Sequence, residues 1–137
     1  MDTKINLFNN NDPFYRYKRD QIQIRLDKSN QTILLNISSI AKSLERTPEL
    51  LLKFLQYEFN TQCNTKKQTL QGKYTISQIE EKINLFADEL VKCGVCENPE
   101  TQLKIKKDEI YLRCSSCGGK SVKKVNNKLE KYIKGQN

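Results

Sequence analysis

Two cysteine pairs, Cys93-Gly-Val-Cys96 and Cys114-Ser-Ser-Cys117, stand 17 residues apart and constrain this chain more than any other feature. The spacing is that of a four-cysteine zinc site. Each C-x2-C turn can aim two thiolates at one ion, and two turns from opposite ends of a hairpin complete a tetrahedron of soft ligands. Gly94, Gly118 and Gly119 lie within or just after these turns, where relaxed backbone angles let N–H groups point at sulfur. Four ligands leave no open position for water, so the expected Zn²⁺ is structural. Disulfides are the competing use of four cysteines, but residues 1–11 hold no apolar stretch resembling a secretory signal. Cys63 stands apart and reads as a small buried or free thiol. Between the pairs, Leu103-Lys-Ile105 and Ile110-Tyr-Leu-Arg113 alternate around Lys107-Asp108, which predicts a hairpin and hence a zinc ribbon.

The chain of 137 residues contains no histidine. That excludes Ser-His-Asp and Cys-His catalytic units, histidine-ligated metals and an imidazole switch. No G-x4-G-K-[ST] loop occurs either, so the chain is not expected to be a nucleotide-hydrolysing enzyme itself. No apolar run approaches the ~20 residues that span a bilayer, and no membrane association is expected. The formal charge is +8, and residues 92–137 carry most of it, with 11 Lys and Arg against 5 Asp and Glu. Binding one Zn²⁺ as four thiolates takes the +8 to +6 and leaves that segment the most basic third. An anionic partner there is expected.

Upstream, the periodicity predicts an α+β body. Gln21–Leu26 alternates, and Thr32–Leu35 follows after a polar turn at 27–30, which reads as a β-hairpin. Asn36 and Ser38 are candidate caps for a short helix carrying Ile37, Ile40, Ala41 and Leu44. Thr47-Pro48 reads as an N-cap followed by proline in the first turn of a second helix. Short strands are expected near 62–64 and 69–72. Thr75 and Gln78 form a capping-box signature for a third helix that should bury Ile76, Ile79, Ile83, Phe86 and Leu90. That helix runs into Cys93. The expected organisation is a flexible N-terminal arm (1–20), the α+β body (21–91) with its linker helix, and a zinc ribbon with a C-terminal basic helix (92–137).

Asp12-Pro13-Phe14-Tyr15-Arg16-Tyr17-Lys18 resembles the opening signature of the eukaryotic translation initiation factor 5 family. Cys93-Gly-Val-Cys96-Glu97-Asn98-Pro99-Glu100-Thr101 resembles the first zinc knuckle of the same family. The beta subunit of initiation factor 2 is similar at Leu50-Leu-Leu-Lys-Phe54 and Leu70-Gln-Gly72, but lacks the Phe-Tyr-Arg-Tyr-Lys opening. The resemblance implies a cytoplasmic, monomeric GTPase-activating protein for initiation factor 2. Its partners would be the gamma GTPase and beta subunits, with GTP and initiator tRNA, and the RNA of the small ribosomal subunit. Arg16 would then be an arginine finger, set between two tyrosines in a polar arm. Lys53 matches a lysine associated with the activating function.

Three departures qualify that carry-over. Gln31 stands where the family has lysine. The turn Asp27-Lys28-Ser29-Asn30 is shorter than the family's glycine-rich loop, although Lys28 and Asn30 remain candidate RNA contacts. Lys123 and Lys124 are candidate RNA contacts in the ribbon. The family continues into a helical-repeat recruitment domain, whereas this chain ends at Asn137, so recruitment by that route is not expected. Two alternatives compete with the activator: a beta-like scaffold subunit of the factor 2 complex without a catalytic arginine, and a general zinc-ribbon nucleic-acid binder.

Overall fold

A computed structural model describes residues 4–7, 17–97, 99–106, 109–123 and 127–135. Its order is β1 (Lys4–Asn6), β2 (Lys18–Asp20), β3 (Ile24–Leu26), β4 (Gln31–Leu34), α1 (Ile37–Ser43), α2 (Pro48–Phe59), β5 (Cys63–Asn64) and β6 (Thr69–Gln71). It continues through α3 (Ile76–Leu90), β7 (Thr101–Lys106), β8 (Glu109–Cys114), β9 (Lys120–Lys123) and α4 (Asn127–Gly135). The class is α+β: a four-stranded antiparallel sheet in the order β3-β4-β6-β5 carries the body, and a three-stranded one, β7-β8-β9, forms the ribbon, with Cys114 at the end of β8. Among the described residues no helix is long and apolar enough to cross a membrane.

Local chemistry sets most element ends. Thr47 caps α2 by accepting from the Leu50 N–H, and Asn60 closes the helix in the left-handed region at φ 52°, a conformation asparagine tolerates. Thr75 and Gln78 form the complete capping box of α3. Two expectations are corrected. Asn36 occupies the N-cap position of α1 without capping it. Its amide instead accepts from the Gln23 N–H at 2.8 Å and donates to the Gln21 carbonyl at 2.9 Å. The strand β3 begins at Ile24, with the Leu35 N–H still donating to the Gln23 carbonyl at 2.9 Å. Ile76 is 41% exposed, because the core covers α3 only from Ile79 onward.

One contiguous core runs from Leu7 and Ile22 through α1, α2 and α3 to Ile110 of the ribbon and Leu129 and Ile133 of α4. Phe54 meets Phe86 edge to face at 5.2 Å across α2 and α3, a geometry that adds to simple burial. The strand β9 and the seating of α4 against α2 have no counterpart among the sequence-based expectations.

The two ends of the N-terminal arm also pair, as β1 with β2, with Leu7 buried behind them. Arg19 of β2 is fully buried. Its guanidinium donates to both carboxylate oxygens of Glu80 on α3, at 2.9 and 3.2 Å, and to Asn84 Oδ1 at 3.0 Å. Glu80 also accepts from the Ile22 N–H at 3.1 Å. Removing one member of such a pair leaves a buried charge uncompensated. Glu80→Ala is therefore expected to lower unfolding stability by about 3–5 kcal/mol, read as a fall in urea midpoint. A change below about 1 kcal/mol would mean that water already screens the pair.

Candidate functional site

The four cysteines come from two separate places in the chain. Cys93 and Cys96 lie in the turn after α3, while Cys114 ends β8 and Cys117 follows in the next turn. Pairing of β7 with β8 aligns Thr101 with Cys114 and brings the two turns together. All four sulfurs lie within 4.8 Å of one another. Cys93 Sγ is 3.7 Å from Cys117 Sγ, and Cys96 Sγ is 3.6 Å from Cys114 Sγ. Sulfurs on a tetrahedron with ~2.3 Å metal–sulfur bonds are about 3.8 Å apart, so the donor set fits one ion.

Backbone N–H groups point at three of these sulfurs. Val95 N–H points at Cys93 Sγ (3.3 Å), Ser116 and Cys117 N–H at Cys114 Sγ (3.3 and 3.5 Å), and Gly119 N–H at Cys117 Sγ (3.3 Å). Burial works to push the Cys93 thiol up, but the N–H groups of Cys96 and Val95 and the neighbouring thiols outweigh it and bring it down to about 6. Space at Gly119 is tight: a Cβ there would sit 3.0 Å from Val95 Cγ2 and 3.1 Å from Cys117 Sγ, so these neighbours would have to give way slightly. Cys63 lies outside the cluster, half-buried, with Sγ 3.1 Å from Gln56 Oε1. Burial raises its pKa, against the opposing charge of Lys53.

Arg46 joins the ribbon to the body. From the turn between α1 and α2 it donates to the Leu90 carbonyl at the end of α3, to the Thr101 carbonyl at 3.0 Å and to Thr101 Oγ1 at 2.8 Å. Burial lowers its pKa to about 10, with Glu45 opposing, so it stays charged at neutral pH. Arg46→Ala strands several carbonyls and should cost about 2–3 kcal/mol in denaturant unfolding, of which Arg46→Lys recovers part. Equal loss in both variants would show that the fork geometry is decisive.

The other expected site residues are dispersed. Arg16 and Lys124 lie outside the described residues. Lys53 of α2 reaches Gln56 Oε1 at 3.3 Å, with Nζ 5.8 Å from the Tyr132 ring centroid of α4. Lys28 and Asn30 are exposed in the β3–β4 turn, and Asn30 sits at φ 62° with its carbonyl accepting from the Gly72 N–H at 2.8 Å. Gln31 donates to Gln71 at 3.3 Å across to β6. Lys123 turns toward the body. There, partial burial with Glu58 and Asp88 pushes the Glu89 carboxyl up, and Lys123 opposes them. Arg19 and Arg46 carry no local sequence signal, because their partners lie 44 to 65 residues away.

Residues 8–120 match a family model described as a domain found in initiation factors 2B and 5. Eukaryotic translation initiation factor 5 of Dictyostelium discoideum is 36% identical over 127 residues, covering 89% of this chain and 32% of that protein. The factor 5 of Saccharomyces cerevisiae is 30% identical over 132 residues, covering 90% and 33%. Translation initiation factor 2 subunit beta of Methanosphaera stadtmanae is 34% identical over 97 residues, covering 69% of this chain and 68% of that protein. The chain thus spans about a third of the length of these factor 5 relatives. The pairing that assembles the cysteine cluster, β7 with β8, falls inside the matched residues, and the chain belongs to the family of domains found in initiation factors 2B and 5.

Proposed function

We propose that this protein acts in translation initiation, activating GTP hydrolysis by initiation factor 2 on the small ribosomal subunit. The observation that carries this reading is the alignment with factor 5 proteins across 89–90% of the chain. The family match over residues 8–120 includes both the Asp12–Lys18 segment and the four clustered cysteines. In this reading the ion is one structural Zn²⁺, held by Cys93, Cys96, Cys114 and Cys117. The three segments 1–20, 21–91 and 92–137 divide the work into arm, body and ribbon.

Phosphoryl transfer from GTP spreads negative charge over the γ-phosphate and leaving oxygens. Catalysis there is positioning plus electrostatic stabilisation. Arg16, entering the GTPase site in trans, supplies a planar fork of donors that stays protonated. Lys53 supplies a second, supporting cation from α2. The partners are the gamma and beta subunits of initiation factor 2 with GTP and initiator tRNA, and small-subunit RNA; the protein works as a cytoplasmic monomer.

Single-turnover hydrolysis by the factor 2–GTP–initiator tRNA complex on small subunits, with and without this protein, tests the reading. Acceleration by orders of magnitude is expected. A second reading, a stable scaffold like the beta subunit, draws on the 34% identity that extends over 68% of the archaeal beta protein. Stoichiometric co-purification with the gamma subunit, without acceleration, would favour it.

A further inference from the structure

The free edge of the ribbon sheet faces the body across an open groove. The order β7-β8-β9 leaves β7 with one strand neighbour, β8. The Ser115 N–H donates to the Glu100 carbonyl at 2.8 Å, and antiparallel ladders alternate bonded with unbonded pairs. In the same register Gln102 and Lys104 bond across to Arg113 and Tyr111, while Thr101, Leu103 and Ile105 turn their N–H and C=O groups to the other side. The Cys114 N–H fits this alternation, because it turns away from β7 to the Gly119 carbonyl at 3.0 Å. Thr101 is already satisfied: its N–H donates to the Pro99 carbonyl at 2.8 Å, and its carbonyl accepts from Arg46 at 3.0 Å. That last bond places the α1–α2 turn of the body alongside the edge. Beyond it, the edge groups of Leu103 and Ile105 have no partner strand among the described residues.

The groove beside this edge holds about 1000 Å³. Pro48 and Leu50 at the start of α2, Leu103 of β7 and Ile133 of α4 give it apolar walls. Lys42 on the body side and Lys104 on the ribbon side are both exposed. Among the described residues neither is held in an ion pair, and Glu45 is the one carboxylate lining the groove. An unpaired strand edge beside an apolar trough takes up an extended peptide as an added strand. Main-chain bonds supply the affinity, and alternate side chains of the guest enter the trough. Lysines on both sides select a guest that carries acidic residues. A second copy of this chain fits poorly. The β7 segment Thr-Gln-Leu-Lys-Ile-Lys has no carboxylate, so pairing it with itself brings only like charges together. A nucleic acid has no alternating N–H and C=O groups to match the edge.

We propose that this groove binds an acidic, extended peptide segment of a partner protein, which adds a strand to the ribbon sheet along Leu103 and Ile105. The N–H and C=O of both residues pair with the guest backbone. Its carboxylates meet Lys42 and Lys104, and an aliphatic side chain rests against Leu50 and Ile133. The inference stands apart from GTP hydrolysis and uses neither Arg16 nor a GTPase.

The test is fluorescence anisotropy of the full-length chain, loaded with Zn²⁺, against a labelled peptide of about eight residues in which Val alternates with Glu. A peptide alternating Val with Lys is the charge control and should bind far more weakly. N-methylation of one alternate set of amides in the Val-Glu peptide should weaken binding by about tenfold or more, and methylation of the other set should change it little. Lys42→Ala and Lys104→Ala should each weaken it by about 2- to 5-fold, and Lys123→Ala, outside the groove, should not. In hydrogen exchange followed by NMR, the Val-Glu peptide should slow the Leu103 and Ile105 amides and change little at Gln102 and Lys104, which already bond to β8. That measurement needs no substitution. Unchanged exchange at Leu103 and Ile105, or equal binding of the Val-Lys peptide, would overturn the inference. So would protection of the same amides by raised protein concentration alone, which would make the occupant a second copy, or by poly-uridylate, which would make it RNA.

Discussion

Stripping the metal with a strong chelator, or replacing Cys114 by serine, is expected to unfold residues 93–123 while α2 and α3 stay protected. The ribbon buries few apolar side chains, chiefly Ile110 and Leu112, with Leu103 and Ile105 half-buried. Structural zinc contributes about 10–16 kcal/mol of apparent binding energy in small domains, as much as a whole domain's stability. For a module of that kind, losing the ion is expected to mean losing the fold. The body differs: Ile40 of α1, Leu51 and Leu55 of α2, and Ile83 and Phe86 of α3 are all fully buried. Hydrogen exchange followed by mass spectrometry should show protection lost across β7, β8 and β9 and kept in the two long helices. Unchanged exchange across the ribbon would refute a structural metal.

The other large effect concerns Arg16. Arg16→Ala should reduce stimulated GTP hydrolysis by about 10³–10⁵-fold, the range over which an arginine supplied in trans accelerates GTPases. Arg16→Lys should restore only part, since a lysine brings charge without the bidentate fork. Binding to the GTPase partner should be nearly unchanged in both variants, because a contact made chiefly in the transition state adds little to ground-state affinity. Single-turnover measurement separates the chemical step from product release, and circular dichroism checks the fold. Unchanged hydrolysis with Arg16→Ala would remove the arginine finger and leave the scaffold reading in front.

Much of the fold was legible because its signals are local. The caps at Thr47 and Thr75 act over three residues, and the α2 and α3 stripes repeat at helical spacing. The misreadings share one cause. Asn36 looks like a cap until the neighbouring 21–23 segment claims both ends of its amide. Ile76 fits the α3 stripe, yet the core ends one turn later.

For the site, the sequence by itself determined that the four cysteines come together. Two residues between cysteines fix each pair on one turn, and a hairpin between the pairs leaves them little choice but to meet. It also determined where positive charge gathers. Which lysines face outward was decided only by the tertiary structure. Register on β8 places Lys120 with Tyr111 and Arg113 on the open face, and turns Lys123 toward α3. The joint between body and ribbon was decided the same way. Arg46 and Arg19 are ordinary surface residues in a sequence, and become anchors, half-buried and fully buried respectively, only when α3 brings Leu90 and Glu80 against them. A buried guanidinium needs several acceptors at once, and here they come from segments that only the folded chain places together.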